Sequence, residues 1–178
     1  MTNNININIK SIQAFKAISD SNIQSIEKKA EILKFPMGFT LSKNDIIPNK
    51  ILIILSGQAR LLHVSQVGKR QKESTITKLY SDSFIGLSSL LRCKSCEFVT
   101  ASTDIIVLAI PDSLTLKLYK EEAHFKDWCD NKLQYAEAYE IAKHVQDISP
   151  ANKKNLRELI EFLIAETQIK TINNGEKI

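Results

Sequence analysis

Between Phe35 and Pro111 the chain runs through short apolar segments, each closed by a turn signal: GFTL, IIPNK, ILIILSG, ARLLHV, STITKLY, SFIG, EFVTAS and DIIVLAIP. These runs are too short for helices and rich in β-branched residues, which suits strands. Short strands at this spacing bury their apolar faces only by folding over one another. A small antiparallel barrel or sandwich is therefore expected over 35–111. Gly57 stands between two such runs, where a turn or bulge is needed. Val67-Gly68-Lys69-Arg70 joins two alternating strands and reads as a hairpin tip.

The flanks change period. Ile12, Phe15 and Ile18, then Ile23, Ile26 and Ala30, recur at helical spacing, so 1–34 is assigned to N-terminal helices. Ser21-x-x-Gln24 matches a capping box for the second of them. After Pro111 a long helix is expected over 112–146. Leu118, Phe125, Cys129, Leu133 and Ala136 form one stripe, and Trp128, Tyr135 and Ala142 lie beside it. Two stripes imply two buried faces. One reading has Trp128, Tyr135 and Tyr139 meet a partner, as a homodimer helix would; the other has the helix cover the open end of the barrel. Asp147-Ile-Ser-Pro150 then breaks the pattern, with Ser149 as N-cap and Pro150 in the first turn. Residues 149–178 read as a helix, carrying Leu156, Leu159, Ile160, Leu163 and Ile164 on one face, and a tail that could link to a further domain.

The 178 residues fit one domain with an appendage, and 43% hydrophobic content supports one core. The formal charge of +4 is spread in small clusters at 28–29, 69–72 and 153–157, which suits a solvated surface better than a nucleic-acid stripe. No apolar run approaches the roughly 20 residues that cross a bilayer. MTNNININIK lacks the character of a secretory signal. Three cysteines without a secretion signal point to reduced thiols in the cytoplasm. Cys93-x-x-Cys96 has knuckle spacing but no second pair, so no metal is assigned. His63, His124 and His144 are scattered, and HExxH, a Walker loop and GxSxG are absent, so no catalytic residue and no cofactor is assigned.

The order of two short helices, a β region and a helix resembles the cyclic-nucleotide-binding domain. FKAISDSNIQSIEKKAEILKFPMG, PNKILIILSGQARLL, SDSFIGLSSLL and VTASTDIIVLAIP carry the resemblance, with ILSGQARLL as its best fragment. It implies a mainly β double-stranded β-helix (jelly roll) with short N-terminal helices and a long C-terminal helix. The run IGLSSLLRCKSCEFVTASTDIIVLAIP is similar to domains on the N-terminal side of cyanobacterial-type peptidase-containing ABC exporters. That implies a regulatory domain on the cytoplasmic face of a membrane transporter, in the same or a partner chain, with ATPase or peptidase activity elsewhere. Family regulators of transcription append a helix-turn-helix, for which 28 residues after Pro150 leave room for one helix and a tail; nucleic acid is not expected as a partner.

The resemblance also implies a ligand loop, Ser81 to Cys96. There a short helix offers backbone N–H groups to a cyclic phosphate, an arginine neutralises it, and a glutamate after a glycine accepts the ribose hydroxyl. In this chain the glycine falls on Gly86, or on Ile85 in a strict count from Asp82. The glutamate position then falls on Leu87 or Gly86, and the arginine position on Ser95. Two missing charge-assisted contacts, at about 1.5–3 kcal/mol each, would weaken binding by roughly two to four powers of ten. Cyclic AMP and cyclic GMP are therefore disfavoured. Ser83, Gly86, Leu87, Ser88, Ser89, Arg92, Lys94 and Ser95 remain as a degenerate phosphate loop, either empty or open to another anionic small molecule. The expected function is a non-catalytic regulatory domain of an exporter. The alternative is a stand-alone dimerisation module or a truncated relative of transcription regulators.

Overall fold

A computed structural model describes residues 8–67, 70–148 and 156–167. Eight strands form two antiparallel sheets. One contains β1 (Glu31–Phe35), β8 (Ile105–Pro111), β3 (Lys50–Ser56) and β6 (Phe84–Ile85), in the order β1-β8-β3-β6. The other contains β2 (Thr40–Ser42), β7 (Val99–Ala101), β4 (Ala59–Val67) and β5 (Arg70–Leu79), in the order β2-β7-β4-β5. The non-consecutive neighbours make the chain cross between sheets, giving the expected jelly roll.

The run Ile51 to Leu55 is apolar at every position because the first sheet is covered on both faces. Ile51 and Ile53 join Phe15, Ile26, Leu118 and Phe125 in a core beneath the helices. Leu52 and Ile54 turn the other way, onto Leu61, Val99 and Val107 between the sheets. Each such side chain contributes about 1.5–3 kcal/mol by leaving water. The hairpin β4–β5 pairs Val67 with Arg70, as the expected tip requires, while Gly68 and Lys69 lie outside the described residues. Gly57 has φ +91, and a Cβ there would sit 2.4 Å from the carbonyl oxygen of Asp104. Only glycine fits this turn.

Three expectations about the flanks are corrected. The N-terminal helices end at Lys29 rather than near 34, because Glu31–Phe35 pairs with β8 from Glu31↔Ala109 to Phe35↔Ile105. They comprise two 3-10 turns, Ile9–Ser11 and Gln13–Phe15, and α1 (Asp20–Lys29). The residue before α1 is Ser19, and Ser21 lies inside the helix instead of capping it. The Ser19 hydroxyl donates to Glu122 Oε1, its N–H does so at 3.1 Å, and Asn22 Nδ2 at 2.7 Å.

Those contacts also explain why 112–146 is three helices rather than one: α3 (Asp112–Glu121), α4 (Ala123–Asp130) and α5 (Tyr135–Ile148). Glu122 leaves helical geometry, with φ −108 and ψ 99, where it receives Ser19 and Asn22. A second break falls between Asp130 and Tyr135. Between α1 and α3 in chain order comes the short α2 (Leu87–Leu91) of the β6–β7 connection, and α6 (Leu156–Glu166) follows α5. The predicted helix start at Ser149 and Pro150 lies outside the described residues. Leu159 and Ile160 of α6 are buried against Ala138, Tyr139 and Ala142 of α5. No described helix is long and apolar enough to cross a membrane.

Candidate functional site

The Ser81–Cys96 loop packs where the barrel meets the helices. Gly86 sits just before α2 with φ +89, and a Cβ there would lie 2.6 Å from Pro48 Cγ. The next side chain, Leu87, is 2% exposed and belongs to the core beneath the helices. It is a packing residue, and offers no ribose contact. Ser83 is used in its own turn: its hydroxyl accepts from Tyr80 N–H at 3.2 Å, and its carbonyl accepts from Ile54 N–H at 3.0 Å. Ser89 Oγ accepts from Cys96 N–H at 3.2 Å. The Ser95 hydroxyl, at the expected arginine position, lies 3.0 Å from the carbonyl oxygen of Lys43 and 3.1 Å from that of Ile46. It ties two loops together.

Arg92 and Lys94 are engaged elsewhere. Arg92 Nε donates to Glu137 Oε1 at 2.5 Å, and Lys94 Nζ lies 3.7 Å from Glu140 Oε2. Both carboxylates belong to α5, so the loop's cations hold a helix. Glu137 also accepts from the Gln134 N–H at 3.0 Å, which caps the start of that helix. Tyr139 and His63 add a second link, a hydrogen bond from α5 to β4, and burial lowers the His63 pKa.

The group the loop gathers around is one that the sequence reading missed. Glu97 is 4% exposed, and its Oε2 accepts the Gly86 N–H at 2.7 Å. Burial raises its pKa above the ordinary carboxylate value; the amides of Gly86, Ser89 and Ser88 and the Ser88 hydroxyl pull it back only in part. The chain's own carboxylate thus takes the donors that the resemblance offered to a phosphate. One signal was available: a single charge inside CEFVTAS, at the threshold of a strand with no polar face to spare.

Ser88 and Glu97 line a cavity of about 400 Å³ between the barrel and the helices. Leu61, Phe84, Trp128, Leu133, Tyr135 and Ala136 supply most of its apolar wall. Of the residues expected on a dimer face, two are turned inward. The Trp128 ring lies 4.8 Å from Phe84, and Tyr139 is 6% exposed, whereas Tyr135 stays 38% exposed. Helix breaks at Glu122 and after Asp130 swing these side chains back onto the barrel. The thiols are unpaired: Cys93 is exposed, Cys96 is pushed up to about 11 by burial, and Cys129 to about 12. No group of three His, Cys, Asp or Glu among the described residues could hold a metal ion.

The two-sheet barrel, the short helix after a left-handed glycine and the flanking helices are the fold of cyclic-nucleotide-binding regulatory domains. Among solved structures the chain is similar to a transcriptional regulator of the crp/fnr family from Eubacterium rectale, with 15% identity, a TM-score of 0.58 and coverage of 84% of this chain and 79% of that one. It is similar to the catabolite activator protein of Thermus thermophilus, with 16% identity, a TM-score of 0.51 and coverage of 78% of this chain and 60% of that one. A third is a cAMP-bound triple mutant of the regulatory subunit of a cAMP-independent protein kinase A from Trypanosoma brucei. There identity is 12%, the TM-score 0.52 and coverage 67% of this chain and 47% of that one. The chain therefore spans about half to three fifths of the last two. No protein-family model matches the sequence, and no curated protein does.

Proposed function

We propose that the chain is a non-catalytic regulatory domain whose loop does not receive a cyclic nucleotide, and which acts through α5 and α6 on whatever it adjoins. The observation that carries this reading is Glu97 on the Gly86 amide. A phosphate oxygen would have to displace Glu97 from the Gly86 amide, which it holds at 2.7 Å, before it could use that donor. This adds to the missing ribose and phosphate partners at Leu87 and Ser95. The Arg92–Glu137 and Lys94–Glu140 pairs support α5 as the output element, since any movement of the loop pulls on that helix. A ligand would matter only through different affinities for two positions of α5.

The similar structures named above are regulators and a kinase subunit, which favours a sensor domain of that kind over the exporter attachment expected from the 85–111 run. Attachment to an exporter stays a finer reading, and it predicts peptidase and ATPase motifs in the reading frame beyond Ile178. What supports leaving nucleic acid aside for the described helices is α6, where Glu158, Glu161 and Glu166 offset Arg157. Association into a homodimer would have to use a face other than Trp128 and Tyr139.

Cyclic AMP and cyclic GMP titrated into the chain test the proposal, with the melting temperature and the indole N–H resonance of Trp128 as readouts. Neither should change at micromolar ligand. Saturable stabilisation there, which at 100 times Kd amounts to about 2.7 kcal/mol, would overturn it.

A further inference from the structure

We propose that the cavity between barrel and helices binds a small uncharged molecule with a flat apolar body, and discriminates against anions of the same shape. This rests on the reading of Glu97 given above. At about 400 Å³ the cavity lies within the range of small-molecule sites, roughly 300–1,000 Å³. Its wall draws on separate parts of the fold, among them Leu61 and Phe84 from the barrel, Trp128 from α4, and Tyr135 and Ala136 from α5. The Phe84 and Trp128 rings stand 4.8 Å apart at 46°, a tilted pair that presents aromatic faces and edges to an aromatic guest.

The polar part of the lining, Ser88, Glu97 and Asp82 among it, sets the charge of that guest. Behind Glu97 the Gly86 amide is bonded to it, and Ser88 and Ser89 also direct donors at it. An anion entering the cavity would shed its water and find these donors taken. An uncharged molecule meets neither penalty. Lys78 and Lys132 also line the cavity, and Lys132 Nζ lies 5.1 Å from the centroid of the Trp128 ring. These two ammonium groups are the competing anchor for an anion, so probes matched in shape and differing in charge decide between them and Glu97. Because the wall includes both barrel and α5, an occupant would bear on the position of that helix.

Indole-3-carboxamide and indole-3-carboxylate form such a pair. Trp128 is the chain's single tryptophan and lines the cavity, so in the 15N-labelled chain its indole N–H resonance is unambiguous beside the unlabelled probe. Titrated into the 178-residue chain at neutral pH, the carboxamide should move this resonance and bind about ten-fold or more tightly than the carboxylate. Glu97→Ala should bring the two within about three-fold of each other by freeing the Gly86, Ser88 and Ser89 donors for the carboxylate. The wild-type comparison stands by itself should that variant fail to fold. A carboxylate that binds as tightly as the carboxamide overturns the proposal, as does a resonance that neither probe moves at millimolar concentration. A micromolar response to cyclic AMP would remove the functional reading as well. Preference for the carboxylate without a cyclic-nucleotide response would remove only the ligand class.

Discussion

At the scale of single residues, Glu97 carries two opposed contributions. Its hydrogen bonds satisfy amides that would otherwise be buried and unpaired, while its burial disfavours the charge. Glu97→Ala removes the acceptor and should cost about 1–3 kcal/mol in urea unfolding. The second contribution appears in pH dependence. A carboxyl whose pKa is raised on folding binds its proton more readily in the folded chain, so stability falls as pH climbs from about 4.5 through the folded pKa. Glu97→Gln should lack that decline, and urea midpoints across this interval measure the difference. A matched pair of glycines separates strain from collision. Gly38 and Gly57 both have positive φ, but a Cβ at Gly38 meets nothing within 4 Å, whereas at Gly57 it strikes the Asp104 carbonyl. Gly38→Ala should cost about 1–2 kcal/mol for the backbone alone. Gly57→Ala should cost clearly more, and the two denaturation curves show it.

Among elements, the link between the 92–94 segment and α5 decides how loop and helix move. A double-mutant cycle on Arg92→Ala and Glu137→Ala should return a coupling of about 0.5–1 kcal/mol, kept small because the Arg92 side chain is 53% exposed. A coupling of zero would leave only the 3.7 Å Lys94–Glu140 pair between loop and α5, and zero for that pair too would remove the output path. Strands were legible in the sequence because each needs only a short run and a turn. The double burial of ILIIL was not, since a continuous apolar run has no period to show which face each side chain takes. Helical period after Pro111 was legible too, and it misled about continuity. Leu118, Phe125 and Cys129 keep their spacing and are all buried, yet Glu122 between them is drawn out of the helix by Ser19 and Asn22. Those partners lie 103 and 100 residues away in sequence. A local pattern carries no trace of such a contact.

For the molecule as a whole, what the sequence hid is what assembles the cavity. The missing carboxylate and arginine positions at Leu87 and Ser95 could be read along the loop, but Glu97 on Gly86, Arg92 on Glu137 and His63 on Tyr139 are meetings of distant segments. The same assembly draws Trp128 inward, so its role is to close the fold. Trp128→Ala should lower stability by about 2–4 kcal/mol, as for a large core side chain that is partly exposed, while sedimentation shows no change in association. An altered sedimentation coefficient would restore the partner face. The three thiols add a practical consequence. Cys96 and Cys129 are shielded, with pKa values near 11 and 12, and Cys93 alone is exposed. It stands between Arg92 and Lys94, the two cations that hold α5. The unaltered chain thus carries one accessible attachment point for a spin or fluorescent label, placed on the segment that grips α5.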